Sequence, residues 1–164
     1  MIRQIKIRFQ YLLFIVLVGC STAAVQTSEI GNKITCSNKV LIATQPTEFK
    51  NRVVAEMEKS LQNDLCYIKR ISISHLNDEP TADYDVIAIL GAYTMMSYPS
   101  EVKEFLNKIP EKEKLVMLIT AGSPEKVDKT PQIDAFSSAS VLTKSTLVAK
   151  KMVKKVQLHL GSKN

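Results

Sequence analysis

Cys20, Cys36 and Cys66 are the only thiols of this 164-residue chain. A thiol can be acylated, paired in a disulfide or bound to a metal. Their contexts differ: Cys20 ends an apolar run at Leu17-Val18-Gly19, whereas Cys36 and Cys66 each stand just ahead of a short segment with β-branched residues. Hydroxyls and aromatic rings form a second set. Thr44 and Thr47 flank Gln45-Pro46; Tyr93, Met95, Met96 and Tyr98 crowd the stretch behind Gly91; Thr120 and Gly122 follow another apolar run; Ser140 ends a small polar stretch. Hydroxyls with peptide N–H groups at a helix start can hold an anion, and aromatic side chains can stack on a flat ring. Other chemistries lack their residues, because no GxSxG elbow, no GxGxxG and no His/Cys/Asp set at ligand spacing is present. His75 reads as a loop residue and His159 as a cation near a helix C-terminus.

The first residues set an address. Arg3, Lys6 and Arg8 occur with no acid, followed by an apolar segment over 11–18 that is too short to span a bilayer, the form of an export signal. Leu17-Val18-Gly19-Cys20 resembles the lipobox of bacterial lipoproteins. The resemblance implies removal of residues 1–19, acylation of Cys20 and attachment to a membrane, on the outer side of the cytoplasmic membrane or in an outer membrane facing the periplasm. Ser21, with no Asp there, suggests outer-membrane sorting where a cell has two membranes. Residues 20–38 are rich in Ser, Thr, Ala and Asn and read as a flexible tether of roughly 25 Å. The formal charge of +6 shrinks with the signal: 22 − 3 = 19 cations face 16 acids, leaving +3. Nucleic acid is not a natural partner for an exported chain, and no basic stripe with interleaved aromatics supports one. In an oxidising compartment Cys36 and Cys66 are expected to pair, contributing roughly 3 kcal/mol by loop closure.

The elements that must position these residues alternate. Residues 39–44 form a strand, and Phe49, Val53, Met57 and Leu61 mark one face of the following helix, capped by Thr47. Residues 67–73 alternate apolar and polar as a more exposed strand near an edge. Residues 85–90 and 115–120 are continuous apolar runs, strands buried on both faces, with a helix over 100–108 between them. A weaker strand over 133–137 precedes a last helix whose apolar face includes Leu147, Val148, Met152, Val153, Val156 and Leu160. Residues 121–132, with Gly122, Pro124 and Pro131, read as a loop or single turn. This order demands an α/β domain with a doubly wound, five-stranded parallel sheet over 39–161.

The chain resembles flavodoxin-like domains on Asp83-Tyr84-Asp85-Val86-Ile87-Ala88-Ile89-Leu90-Gly91-Ala92-Tyr93, on Tyr98-Pro99 and Val102-Lys103-Glu104-Phe105-Leu106, and on Thr120-Ala121-Gly122-Ser123. The resemblance implies strand order 2-1-3-4-5. It also implies FMN as candidate cofactor, with Thr44 and Thr47 toward the phosphate, Gly91, Tyr93 and Tyr98 around the ring, and Thr120 and Gly122 in a third loop. The first loop departs from the family's [ST]-x-T-G-x-T cradle: Thr44-Gln45-Pro46-Thr47-Glu48 has no Gly, and Pro46 removes a donor. A further segment, Asp134-Ala135-Phe136-Ser137-Ser138-Ala139-Ser140, resembles the Asp-x-x-[ST]-Gly-Ala-Thr segment of exported domains that carry FMN as a phosphoester, with Ser140 in the acceptor's place; the alternative is a polar loop with Thr143 or Ser145 capping the last helix. Together these residues predict a lipid-anchored binding or accessory module of the cell envelope, with a protein partner. A flavin-dependent electron carrier or reductase is the alternative.

Overall fold

The computed structural model describes residues 24–62, 67–127 and 132–162. Cys20, Cys66 and the export signal lie outside them. Six strands form one sheet: β1 (Ser28–Ile30), β2 (Lys39–Thr44), β3 (Tyr67–Ser72), β4 (Val86–Ala92), β5 (Leu115–Thr120) and β6 (Asp134–Ser138), in the order β1-β3-β2-β4-β5-β6. From β3 to β6 all pairs are parallel, and these five strands alone have the expected order 2-1-3-4-5. Helices α1 (Glu48–Leu61), α2 (Ser100–Lys108) and α3 (Ser145–Gly161) cover it. The apolar runs behave as such runs must: β5 is buried at every residue, and β4 at all but Ala92.

The two faces of the sheet are covered differently. Alternate strand residues Val40, Ile42, Ala88, Leu90, Val116 and Leu118 pack against α1 and α3, through Val53, Val54, Met57, Met152 and Val156. The intervening residues, among them Leu41, Ile87, Ile89, Met117 and Ile119, meet α2 and a 3-10 segment at Ile73–Asp78. That segment replaces a full crossover helix between β3 and β4, and it is pinned by polar contacts. Glu79 accepts from Lys69 Nζ at 2.6 Å and from the Tyr84 hydroxyl at 3.0 Å.

Three findings differ from the expectations. First, the sheet has six strands, because residues 28–30 of the expected tether pair antiparallel with β3, Ile30 opposite Ile68. Ser28-Glu29-Ile30 is too short for periodicity to reveal it, and its role is to cover a strand edge that would otherwise lie open. Second, Leu147 is 70 % exposed rather than core-facing, since Val148, Met152 and Val156 set the buried face of α3. Third, neither Thr143 nor Ser145 caps α3; Lys144 is at the cap position, and the Ser145 hydroxyl donates back to Leu142 O at 2.8 Å.

Cys36 Sγ lies 2.8 Å from Asn38 O, the same carbonyl that accepts from Tyr67 N at 2.9 Å.

Candidate functional site

In open α/β sheets ligands bind beyond the carboxyl ends of the strands, where the strand order reverses. Here that point lies between β2 and β4, and the loops behind β2, β4 and β5 meet at it. Gln45 occupies the crevice. Its N–H donates to Leu90 O at 3.3 Å, and its side-chain carbonyl accepts from Ala92 N at 2.8 Å. Thr47 N donates to Gln45 O at 3.0 Å, so the loop is closed by its own backbone. Pro46 has no N–H to offer.

Thr44 is fully buried, with its hydroxyl 3.3 Å from Gln45 O. Thr47 caps α1 as expected: in extended backbone at φ −131, its Oγ1 accepts from Lys50 N at 3.2 Å. Of the donors a phosphate would need, the Thr44 hydroxyl and the N–H groups of Gln45 and Thr47 are engaged within the chain, and the Thr47 hydroxyl accepts from Lys50 N. As it stands, the first loop does not form a glycine cradle of the kind that would surround an FMN phosphate. Lys50, in the first turn of α1, is only 1 % exposed, and burial lowers its pKa. The sequence gives no sign of that burial, because Lys50 stands beside an apolar stripe rather than on it.

The loop behind β4 is built in the opposite way. Thr94 and Ser97 exchange backbone hydrogen bonds at 3.0 and 2.9 Å, closing a two-residue hairpin turn with Met95 and Met96 at its tip. Both methionines have left-handed backbone, φ 49 and φ 58, and are 100 % and 88 % exposed. Such turns favour Asn-Gly, and a residue with a Cβ there costs roughly 1 to 2 kcal/mol. Without Gly or Asn, the sequence carries no signal of the turn. At its base Tyr93 and Tyr98 pack edge to face, ring centroids 5.2 Å apart at 72°. Tyr93 N donates to Thr120 O at 2.8 Å, and the Thr120 hydroxyl, 4 % exposed, reaches Gly91 O at 3.3 Å. Thr120 therefore ties two loops together.

Gly91 and Gly122 have no steric need to be glycine. A Cβ at Gly91 would meet Pro99 Cδ at an ordinary 4.0 Å, and one at Gly122 nothing within 4 Å. The fold thus brings Thr44, Thr47, Gly91, Tyr93, Tyr98, Thr120 and Gly122 to one end of the sheet.

Asp134 and Ser140 are drawn apart by β6. Asp134 starts the strand and faces α3, where Lys155 Nζ pairs with one carboxylate oxygen and His159 Nε2 lies 3.4 Å from the other. Burial disfavours the charged carboxyl, but these two partners outweigh it and hold the Asp134 pKa below its ordinary value. Ser140 is exposed past the far end of the strand, about 20 Å away at 3.3 Å per residue. The other end of the sheet has a hollow of about 450 Å³ lined by Asp85, Glu111, Glu113, Lys114, His159 and Ser162. Among the described residues no group of three or more His, Cys, Asp or Glu is placed to hold a metal ion, and no helix is long and apolar enough to cross a membrane.

No family model and no curated protein matches the chain. Solved structures do. It is similar to the flavodiiron core of Flv1 from Synechocystis, at TM-score 0.57 and 8 % identity over 76 % of this chain, which spans only 36 % of that one. It is also similar to oxidised flavodoxin 2 from Bacillus cereus, at TM-score 0.51 and 14 % identity, covering 71 % of this chain and 99 % of that. The flavodoxin, WrbA-like protein from Agrobacterium tumefaciens aligns at TM-score 0.52 and 9 % identity, over 76 % and 98 % of the two chains. With the strand order and the two-sided core, these likenesses establish that the domain has the flavodoxin-like fold.

Proposed function

We propose that this chain is a lipid-anchored cell-envelope protein whose flavodoxin-like domain serves as a binding or accessory module, recognising a protein partner with the loop over 93–99. The observation that carries this reading is Gln45, which closes the nucleotide crevice with its amide bonded to Ala92 N. The exposed pair Met95 and Met96 supports the choice of loop: methionine is an adaptable contact residue, and strained backbone held at an exposed tip points to use rather than stability. The lipid anchor rests on the lipobox at Leu17-Val18-Gly19-Cys20, with Cys20 as the acylated residue. Cys20→Ser that still fractionates with membranes would refute it. A Cys36 to Cys66 disulfide belongs to the same reading, supported by export and by the shared Asn38 carbonyl at Cys36 and Tyr67; labelling of either thiol without prior reduction refutes it.

The second reading is an FMN-dependent electron-transfer or reductase protein, favoured by the Tyr93–Tyr98 pair at the ligand end of the sheet. Visible absorbance and intact mass of the protein purified from its native envelope separate the two. A colourless protein that takes up no added FMN supports the accessory module. Flavin absorbance overturns it, and an FMN-sized mass increment would direct mutation to Ser140.

A further inference from the structure

We propose that the outer face of α3 docks on an anionic lipid surface. From Ser145 to Ser162 the chain has no acidic residue. Leu147, Lys151, Lys154 and Leu158, spaced by four, three and four, share one line along the helix, opposite the buried Met152, Val156 and Leu160. Both leucines of this line are largely exposed, 70 % at Leu147 and 61 % at Leu158. They stand about 16 Å apart with the lysines between them. Lys154 on the line and Lys150 beside it stand in solvent, while Lys151 lies over the Phe136 ring at 4.1 Å and Lys155 is taken by Asp134. A shallow hollow of about 470 Å³ at Lys154, Gln157, Leu158, Gly161 and Ser162 continues the face.

Neighbouring α1 gives the contrast. Its exposed side alternates Glu48, Arg52, Glu56 and Lys59 and has no net charge, so of these two helices only α3 presents a cationic face. A surface offering anions in one plane and hydrocarbon just beneath it satisfies lysines and leucines together, and a membrane interface of acidic phospholipid is such a surface. The inference rests on the lipid-anchored reading for its proximity, because a tether converts weak docking into an intramolecular event.

The test uses the lipidated protein with Leu158→Trp as sole indole, since the chain has no tryptophan. It is reconstituted on vesicles of phosphatidylcholine, with or without phosphatidylglycerol, containing brominated acyl chains. Flotation with the neutral vesicles reads the anchor alone. Indole quenching only on the anionic vesicles, reversed by high salt, reads docking. Lys150→Gln with Lys154→Gln, at unchanged circular dichroism, is expected to lower the docked-to-free ratio on the order of 30-fold, given an attraction of about fivefold per lysine near such a surface. Equal quenching on both vesicle types, no quenching on either, or quenching indifferent to the two substitutions overturns the proposal. Protein that fails to float on neutral vesicles yet is quenched on anionic ones refutes the anchor and upholds the face. Retention on an acidic protein bead without quenching on anionic lipid assigns the face to a protein and overturns the lipid.

Discussion

The loops behind β2 and β4 lie side by side at the same end of the sheet, and they have been built to opposite ends. In the first, Gln45 bonds across to Ala92, the Thr47 hydroxyl caps α1, and Thr44 is buried. In the second, the backbone is forced into left-handed geometry at two methionines and presents both to solvent. The first arrangement gains stability at the expense of a ligand site; the second gives up stability for an exposed surface. The contrast is the ground on which we propose the 93–99 loop, rather than the crevice, as the recognition surface.

Gln45→Ala strikes the closed loop hardest. It leaves a part-buried N–H of Ala92 without its acceptor, and unfolding in urea is expected to show a loss of about 2 kcal/mol. A change within a few tenths would mean that water replaces the amide and that the loop is not locked. The open loop should respond in the reverse sense. Met95→Asn with Met96→Gly matches the turn to its backbone, so stability should rise by about 1 to 2 kcal/mol while partner capture from envelope extracts falls. Gain of stability with capture retained would separate the strain from recognition. Thr47→Ala removes only the cap, with an expected cost of about 1 kcal/mol in the same urea experiment, and an unchanged midpoint would show that the loop holds α1 without it.

The smallest effect lies away from both loops and serves as their control. Asp134 has a depressed pKa in the folded chain, so its contribution is present above the ordinary carboxylate pKa and is lost as pH falls through the folded value. Because the carboxylate is about one-third exposed, solvent screening keeps the effect below about 1 kcal/mol. Asp134→Asn should flatten the acid limb of the stability profile and leave the behaviour of both loops unchanged. An acid limb identical to the parent's would remove the Lys155 and His159 contacts as its cause.

Much of the frame was legible because it depends on local pattern. Continuous apolar runs at β4 and β5 can exist only as strands covered on both sides, and a Thr followed by an amphipathic stripe at α1 starts a helix wherever the remainder of the chain goes. Leu147 illustrates the limit: it fits the apolar period loosely, and the rotation of α3 on the sheet decided which side of that period was buried. Strand β1 escaped notice for a related reason. Three residues hold no period, and pairing with β3 depends on an edge that exists only once the sheet has formed.

The candidate site divides the same way. By itself the sequence determined that hydroxyls, aromatics and glycines would gather at the carboxyl ends of parallel strands, since alternation of strand and helix forces the loops there. It also determined that the first loop lacked a glycine cradle. That Gln45 would reach across to Ala92, that Met95 and Met96 would stand in left-handed backbone, and that α3 would turn leucines and lysines outward together were decided by the tertiary structure. The Gln45 contact depends on a partner tens of residues away and the outer face of α3 on how one packed layer sets against another, while the Met95–Met96 turn is closed locally by Thr94 and Ser97 but has no Gly or Asn to announce it.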